Sequence, residues 1–332
     1  MKVLVVGGAG YIGSQMVKQL THAGDSVVVL DNLSTGFREL ARYCELVVGD
    51  LADPLLLERL FRKHDFDGVM HFAAHSLVGE SMQDPGKYYR NNVSNTLNLL
   101  EAMVRHDVKY FIFSSTAATF GEPEYVPIDE VHSQRPINPY GASKLMVERM
   151  LQDFHTAHGL SSVSLRYFNA CGADPEGEIG ECHDPETHLI PLILQAASGR
   201  RKSITVFGRD YPTEDGTCIR DYIHIEDLCS AHAQALEALI LGHKQGALAF
   251  NLGNGKGYSV QQVIEAVQLV VAEDGCNLMI EEGERRPGDP AKLVADASLA
   301  KRELGWQPQY ADLETIVRHA WAWEKQRASL VK

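Results

Sequence analysis

The sequence of 332 residues predicts an α/β fold with a doubly wound parallel sheet and a second, smaller mixed α/β part. Short runs rich in β-branched residues alternate with amphipathic helical stretches through the first half of the chain. A glycine-rich segment at residues 7–13 joins the first such run to the first helical stretch. After about residue 168 the alternation becomes less regular, which indicates where the second part begins.

Six strands are expected in the first half: Val3–Val6, Ser26–Leu30, Glu45–Val48, Gly68–Phe72, Tyr110–Phe113 and Ser162–Arg166. Four helices are expected between and after them: Tyr11–His22, Leu55–His64, Asn91–Arg105 and Tyr140–His158. Gly24 ends the first helix. Asn138 and Pro139 begin the last one, as a cap and a proline at the first helical position.

The second half starts with a segment, Ala170–Thr187, that is rich in Gly, Pro, Asp and Glu and is predicted to be a long loop. A helix over Leu189–Ser198 and a strand over Ile204–Phe207 follow. We expect a larger domain over residues 1–168, joined by parts of 218–252, and a smaller domain over residues 169–332.

Composition excludes several classes of protein. A net charge of −13 argues against a nucleic-acid partner, because binding to a polyanion requires a basic face. No stretch approaches the roughly 20 apolar residues that a membrane span requires. The N-terminus lacks the pattern of a signal peptide, so we expect a cytoplasmic protein.

The six cysteines show no paired spacing, so they predict neither a disulfide framework nor a zinc site. The group Cys171, Cys182, His183 and His188 fits no ligand pattern, and we expect no metal.

The glycine-rich segment, Gly7-Gly8-Ala9-Gly10-Tyr11-Ile12-Gly13, follows a strand and begins a helix, which is the context of a dinucleotide-binding turn. Glycines let the backbone approach a pyrophosphate, and the helix N-terminus attracts its negative charge. Asp31 ends the next strand, where a carboxylate can bind an adenosine ribose and would repel a 2′-phosphate. The sequence therefore predicts a Rossmann-type domain that binds NAD, with Asp50 facing the adenine.

Tyr140 and Lys144 lie four residues apart on a predicted helix and so share a face. A free tyrosine is a poor base at neutral pH, but a neighbouring ammonium and an oxidised nicotinamide favour the phenolate. A phenolate can take a proton from a substrate hydroxyl while hydride leaves the carbon. Ser114-Ser115-Thr116 is expected just past the fifth strand, at the edge where open α/β sheets bind ligands.

With these motifs the chain resembles the extended short-chain dehydrogenase/reductase family and, within it, the UDP-glucose (UDP-galactose) 4-epimerases. The resemblance covers nearly the whole chain. Its marks are GGAGYIGS at 7–14, DNLSTG at 31–36, GD at 49–50, HFAA at 71–74, FSSTAATFG at 113–121, NPYGASK at 138–144, RYFNACGADP at 166–175, VFGRDYPTEDGTCIRDYIHIEDL at 206–228, NLGNGKGYS at 251–259 and RRPGD at 285–289.

The resemblance implies roles for individual residues. Tyr140 would be the base toward O4, Lys144 would bind the nicotinamide ribose and tune the tyrosine, and Thr116 would contact the same oxygen. The residues implied in cofactor binding are Gly7, Gly10, Tyr11, Ile12, Gly13, Asp31, Asn32, Asp50, Leu51, Phe72, Ala73, Ala74, Asn92, Ser114, Tyr140, Lys144 and Phe168. Those implied in binding the UDP-sugar are Thr116, Tyr140, Asn169, His188, Leu189, Phe207, Arg220, Arg286, Asp289 and Leu293.

The implied reaction is oxidation at C4, rotation of the 4-keto sugar, and return of hydride to its opposite face, with NAD regenerated in each turnover. Three positions depart from the pattern of some family members. Ser76 replaces a lysine, and His188 replaces an asparagine. At position 293 family members have either a bulky tyrosine or a small residue, and Leu293 is intermediate in size. We expect UDP-glucose and UDP-galactose as substrates, with some tolerance of UDP-N-acetylhexosamines.

Other functions compete with this interpretation. A 4,6-dehydratase or decarboxylase needs an acid or base beside Thr116, and Ala117-Ala118 supply none. A UDP-uronate or UDP-pentose 4-epimerase stays open, because one added cation could recognise a carboxylate. A non-catalytic NAD-sensing regulator is disfavoured by the joint presence of Thr116, Tyr140 and Lys144. The resemblance also implies a homodimer formed by the helices near 91–105 and 140–158.

Overall fold

The structure, a computed structural model, describes residues 1–285 and 289–330, with side chains described as far as residue 327. Its strands are β1 Lys2–Val6, β2 Ser26–Asp31, β3 Glu45–Val48, β4 Gly68–His71, β5 Tyr110–Thr116, β6 Ser161–Tyr167, β7 Asn169–Cys171, β8 Ile204–Phe207, β9 Ile219–His224, β10 Ala247–Leu252, β11 Gly257–Ser259, β12 Ile280–Gly283 and β13 Lys292–Leu293. Its α-helices are α1 Tyr11–His22, α2 Pro54–Lys63, α3 Val78–Gln83, α4 Pro85–Tyr88, α5 Asn95–Arg105, α6 Pro139–His158, α7 Leu189–Ala197, α8 Ile225–Ile240, α9 Val260–Ala272, α10 Ser298–Leu304 and α11 Leu313–Leu330.

Seven parallel strands form the main sheet in the order β10-β6-β5-β4-β1-β2-β3. The order reverses at β1, because β2 lies on one side of it and β4 on the other. Helices cover both faces, which confirms the predicted doubly wound α/β class. Open sheets of this kind bind ligands beyond the carboxyl ends of the strands at such a reversal.

The central strand β1 shows how the sequence builds this sheet. Val3 and Val5 point into the core on one face, and Leu4 and Val6 point into the core on the other. Side chains alternate along a strand, so a continuous apolar run is what a strand covered on both sides requires. The bounds predicted for α1, β3 and β8 are confirmed without change.

Three local predictions were wrong in detail. Ser114, Ser115 and Thr116 lie within β5 rather than past it, because they pair with Leu165, Arg166 and Tyr167 of β6. The helix predicted over Asn91–Arg105 is not α-helical at its start. Its first residues belong to a π-helical segment, Tyr89–Ser94, which continues into α5. The predicted loop at Ala170–Thr187 begins inside β7, which pairs with β9.

The later part of the chain contributes to two regions. Strand β10 is an edge strand of the main sheet, and α8 packs on the same core as α1. Strands β7, β9, β11 and β13 form a smaller sheet, β8 pairs with β12, and α7, α9 and α11 enclose a core with them. We propose that this second region is the smaller domain predicted from the sequence. Among the described residues, no helix combines the length and hydropathy that crossing a membrane requires.

Candidate active site

The glycine turn between β1 and α1 has a shape that only glycine permits at two positions. Gly7 has φ +81°, and a Cβ on it would lie 2.6 Å from the backbone nitrogen of Ala73. A Cβ on Gly13 would lie 2.1 Å from the carbonyl oxygen of Gly7. The turn therefore packs backbone against backbone, and the N-terminus of α1 faces the space above it.

A cleft lies along the carboxyl ends of β1, β2, β3 and β4. Nine of the residues predicted to bind the cofactor line it: Gly7, Gly10, Asp31, Asn32, Asp50, Leu51, Phe72, Ala73 and Ala74. The sequence analysis did not single out another group of lining residues, namely Val6, Leu30, Ser34, Thr35, Gly36, Gly49, His75 and Asn91. Most of these flank motif positions, so adjacency was the signal that could have identified them.

Two carboxylates mark the far end of the cleft. Asp31 accepts hydrogen bonds from the backbone nitrogens of Ala9 (2.9 Å) and Leu33 (2.8 Å), which ties the end of β2 to the glycine turn. Burial raises the pKa of Asp31 above its usual value, and the two backbone donors oppose this. Asp50 accepts from Asn32 Nδ2 at 2.7 Å. Both acids line the cleft, and their contact with an adenosine stays a prediction.

The predicted chemical residues converge where β5 meets the start of α6. Asn138 caps this helix by accepting from the Gly141 nitrogen at 2.8 Å, and Pro139 occupies its first position, as predicted. Lys144 donates from Nζ to the carbonyl oxygen of Ser114 at 2.7 Å. Burial lowers the pKa of Lys144 to about 7, while the charge of Glu148 acts in the opposite direction. Lys144 therefore loses its proton far more easily than an exposed lysine does.

Tyr140 differs from the simple expectation that Lys144 lowers its pKa. Burial raises the pKa of the phenol, and a hydrogen bond with Thr116 lowers it. The chain on its own therefore keeps Tyr140 protonated, so the positive charge needed for a phenolate must include that of an oxidised nicotinamide. Tyr88 packs edge-on against the Tyr140 ring, with centroids 6.5 Å apart, and restricts its orientation.

The residues after Thr116 carry no acid or base. Ala117 begins a short 3₁₀ turn, and the Ala118 nitrogen donates to Thr116 Oγ1 at 3.1 Å. A Cβ on Gly141 would lie 2.3 Å from the Ala118 carbonyl oxygen, so the turn packs tightly on α6. No described side chain in this turn can move a proton at the carbon next to the reacting one.

Sequence reasoning missed a buried ion pair beneath the reacting groups. Glu148 accepts from Ser115 Oγ (2.5 Å) and from Arg166 Nη2 (2.6 Å). Ser115 lies between Ser114, which holds Lys144, and Thr116, and its register partner in β6 is Arg166. The four-residue spacing from Lys144 to Glu148 was the available signal, because it puts both side chains on one face of α6.

Asn92 is also placed by contacts that the sequence did not reveal. Its side-chain amide donates to the His75 carbonyl oxygen (3.0 Å) and to Ser143 Oγ (3.0 Å), and its oxygen accepts from the His75 nitrogen. It thereby joins the cleft wall after β4 to α6. Direct contact between Asn92 and the cofactor stays a prediction.

The remaining cofactor residues surround the glycine turn and the chemical site. Tyr11 and Ile12 lie in the first turn of α1, and the Tyr11 hydroxyl donates to the Gly172 carbonyl oxygen at 2.7 Å. Phe168 lies between β6 and β7 and is partly buried.

The described residues predicted to bind the substrate, other than Thr116 and Tyr140, lie in the second region. Arg220 on β9 is paired in register with Leu293 on β13, and its guanidinium contacts the Asp289 carboxylate. Asn169 begins β7, Leu189 begins α7, and Phe207 ends β8. Arg286 lies outside the described residues. The structure brings Arg220, Asp289 and Leu293 together, and their contact with a UDP-sugar stays a prediction.

His188 lies immediately before α7 in a cluster with Glu181, His183 and Glu186. The charge of Glu181 raises the pKa of His188 to about 9. Burial raises the pKa of Glu181, but the two imidazoles outweigh it and hold that pKa at about 2. The cysteines considered with these histidines are elsewhere: Cys171 donates to the Ile223 carbonyl oxygen, and Cys182 contacts Arg327.

Comparison with known proteins agrees with this site. The profile of the NAD dependent epimerase/dehydratase family matches residues 3–253, which include the glycine turn, the Tyr140–Lys144 pair and all of the main sheet except Lys2. The chain belongs to the NAD dependent epimerase/dehydratase family. Within that family it is 52% identical over 326 residues to the UDP-glucose 4-epimerase of Halalkalibacterium halodurans, covering 98% of this chain and 96% of the relative.

Solved structures of family members have the same fold as this chain. The UDP-glucose 4-epimerase from Brucella ovis in complex with NAD is 49% identical, with a TM-score of 0.93 over 96% of this chain and 97% of that one. The enzyme from Bifidobacterium longum in complex with NAD⁺ and UDP is 37% identical, with a TM-score of 0.91 over 99% of both chains. NAD is the cofactor of the epimerase/dehydratase family, and the glycine turn, Asp31 and the cleft of this chain fit it.

Proposed function

We propose that the chain interconverts UDP-glucose and UDP-galactose by transient oxidation at C4 of the hexose. The observation that carries the proposal is the meeting of Tyr140, Lys144 and Thr116 at the carboxyl end of β5, in a chain about half identical to UDP-glucose 4-epimerases. The site has one base and one nucleotide cleft, which is what a closed redox cycle needs.

Tyr140 takes the proton of the C4 hydroxyl and returns it after the sugar has turned, and Thr116 holds the same oxygen. NAD, when bound, supplies the acceptor and donor of the C4 hydride. Lys144, held by the Ser114 carbonyl, positions the nicotinamide ribose, and the fraction of it that is protonated adds positive charge near the phenol. Because hydride must reach both faces of the sugar, the hexose must be held loosely while UDP is held firmly.

Arg220 is the proposed anchor of the UDP diphosphate. It is the second residue of β9, and its guanidinium donates to the Ile219 and Pro290 carbonyl oxygens at 2.8 and 2.9 Å. A planar guanidinium matches a phosphate in a bidentate manner. Asn169, His188, Leu189, Phe207, Asp289 and Leu293 complete the proposed pocket, and Arg286 is proposed on the resemblance alone.

The proposal extends to the state of the protein in the cell. We propose a cytoplasmic homodimer, supported by six free cysteines and by exposed apolar side chains on the two helices implied in pairing. Leu97 on α5 is 37% exposed and Met146 on α6 is 46% exposed. Sedimentation of wild type against Met146→Glu tests the dimer, since a charge in an apolar interface should shift the chain to a monomer.

The deciding experiment is to incubate the purified protein with UDP-galactose, without added cofactor, and to follow UDP-glucose by proton NMR. We expect conversion by wild type and by Tyr125→Phe, an exposed control tyrosine, and a loss of at least about 10³-fold in Tyr140→Phe. No conversion by a protein that retains NAD would contradict the UDP-hexose assignment. The same assay with a UDP-uronate and a UDP-pentose then tests the alternative substrates.

A further inference from the structure

The cluster before α7 consists of four side chains from one eight-residue segment: Glu181, His183, Glu186 and His188. One nitrogen or oxygen atom from each lies within 4.8 Å of the corresponding atoms of the others. His183 Nδ1 lies 2.9 Å from Glu181 Oε1, His188 Nδ1 contacts the same oxygen, and His188 Nδ1 lies 3.6 Å from Glu186 Oε1. Four potential ligands thus converge on one point.

Both carboxylates are buried, and the cationic side chains beside them among the described residues are the imidazoles of His183 and His188. The side chains of Glu181 and Glu186 are 4% and 3% exposed, and one oxygen of Glu186, Oε2, has no hydrogen-bond partner. Among the described residues, no lysine or arginine nitrogen lies within 4 Å of either carboxylate. Burial raises the pKa of Glu186, and a positive ligand at this carboxylate would remove the cost of leaving its oxygen unpaired.

A nearby acidic cluster shows the contrasting case. Asp174, Glu176 and Glu178 also converge, but Lys18 lies among them at 2.9, 2.6 and 3.0 Å and neutralises them. A lysine therefore neutralises the cluster of Asp174, Glu176 and Glu178, whereas the carboxylates of Glu181 and Glu186 have only imidazoles beside them. The second cluster instead contains two imidazoles, the side chains most often used to bind transition metals.

The ligands are held in place from outside the cluster. Trp323 Nε1 on α11 donates to the Glu181 carbonyl oxygen at 2.8 Å, and the Thr187 and His188 nitrogens donate to Glu186 Oε1 at 2.7 and 2.9 Å. The Tyr11 ring lies edge-on to His183, with centroids 6.3 Å apart. The cluster consequently lies between the first turn of α1 and the start of α7.

We propose that Glu181, His183, Glu186 and His188 bind one divalent transition metal, with Zn²⁺ as the expected ion. Two imidazole nitrogens and two carboxylate oxygens are a ligand set that zinc accepts, and four protein ligands make a closed structural site. The ion replaces the protons shared between the imidazoles and Glu181 and satisfies Glu186 Oε2. By joining the segment 181–188 it fixes His188 at the edge of the proposed sugar pocket.

The test begins with the full-length protein, stripped with a chelator, reloaded with ZnCl₂ and passed through gel filtration. We expect about one equivalent of zinc retained per chain by wild type and by His243→Ala, an exposed control histidine, measured by mass spectrometry of the metal. His183→Ala and Glu186→Gln should retain less than about a tenth as much. Equal retention in wild type and both variants, or none in wild type, would overturn the proposal.

A second measurement uses wild type alone, so that a folding defect in a variant cannot decide the matter. X-ray absorption of the zinc-loaded protein should show two imidazole nitrogens and two oxygens at about 2.0–2.2 Å. A shell that contains sulfur, or only oxygen, would place the zinc elsewhere and refute the site. Circular dichroism and bound NAD report separately whether each variant has folded.

Discussion

Lys144 is almost fully buried, and its surroundings determine both its charge and its effect on stability. Its ammonium has one hydrogen-bond acceptor, the Ser114 carbonyl oxygen, and lies 4.7 Å from the centroid of the Phe113 ring. These contacts replace only part of the hydration that the ammonium has in the unfolded chain, which explains why burial lowers its pKa to about 7. The residue is thus retained for chemistry at the expense of stability.

This predicts how stability depends on pH. Between pH 7 and about 10.4 the unfolded chain binds a proton at Lys144 that the folded chain has lost, so the contribution of this group to stability rises with pH in that window. Below pH 7 both states are protonated, and the full penalty applies. Lys144→Met should therefore raise the free energy of unfolding at pH 6 by at least about 1.4 kcal/mol, and by less at pH 9.

Urea denaturation of NAD-free protein at the two pH values measures this difference. Lys109→Met, which alters an exposed lysine, is the control and should change neither value by more than about 0.5 kcal/mol. A Lys144→Met variant that is less stable than wild type at pH 6 would show that the Ser114 contact outweighs the desolvation penalty.

Leu293 is the residue for which substrate range can be tested. It lies on β13 opposite Arg220, and the resemblance places a bulky tyrosine or a small residue at this position. Leu293→Tyr should reduce turnover of UDP-N-acetylglucosamine by at least about tenfold, because the added ring fills space that the N-acetyl group needs. Turnover of UDP-galactose by Leu293→Tyr should change by less than about threefold. Leu293→Ala should instead favour UDP-N-acetylglucosamine relative to UDP-galactose. Equal losses of turnover on both substrates would contradict a role of Leu293 in selectivity.

At the scale of elements, helix α6 and strands β5 and β6 form one unit held by Glu148. Its carboxylate joins Ser115 of β5 to Arg166 of β6 from a position one turn after Lys144. The helix presents Tyr140, the strand presents Thr116, and the ion pair keeps the two at a fixed separation. Glu148 is therefore a positioning residue, and it also supports the charge on Lys144.

Glu148→Gln tests this unit. Without the carboxylate charge the pKa of Lys144 falls further, so the decline of activity with rising pH should begin at a lower pH than in wild type. We expect kcat to fall roughly tenfold, about 1.4 kcal/mol, with little change in KM. The pH profile is the decisive readout, because a loss of packing alone would lower activity without shifting the profile. Glu237→Gln, a change of an exposed glutamate on α8, is the matched control.

At the scale of the whole molecule, the cofactor-binding sheet depends on chain that lies far along the sequence. Helix α8 contributes Ile225, Leu228 and Leu236 to the core on one face, and β10 contributes Phe250 and Leu252. Helix α8 packs closely on β4, since a Cβ on Gly68 of β4 would lie 2.7 Å from Leu236 Cδ1 of α8. We therefore propose that α8 and β10 belong to the larger domain with residues 1–168, within the range 218–252 that was expected to join it.

A fragment of residues 1–168 should accordingly fail to unfold cooperatively in urea, whereas the full chain should show a single steep transition. Removing α8 and β10 exposes one face of the sheet and the edge of β6, and both losses favour aggregation. Fluorescence of a hydrophobic dye and size-exclusion chromatography measure the outcome. A monomeric fragment with a cooperative transition would show that the first 168 residues form an independent domain.

The sequence by itself determined the local features of this protein. The alternation of short β-branched runs with amphipathic helical stretches predicted the parallel strands, and the glycine turn and the cap Asn138 predicted the starts of α1 and α6. Tyr140 and Lys144 were found by their helical spacing. Each of these signals lies within a few residues of sequence. Backbone geometry alone determines which of these residues share a face, so the sequence suffices to recognise them.

Only the tertiary structure decided which distant residues meet. The contact of Glu148 with Ser115 spans 33 positions, and that of Asn92 with Ser143 spans 51. The extension of β5 through Thr116 depends on pairing with β6, and the gathering of Glu181 and Glu186 around two histidines depends on how one loop folds. Contacts of this kind leave no periodic trace in the chain, because their energy exists only once separate elements have packed together.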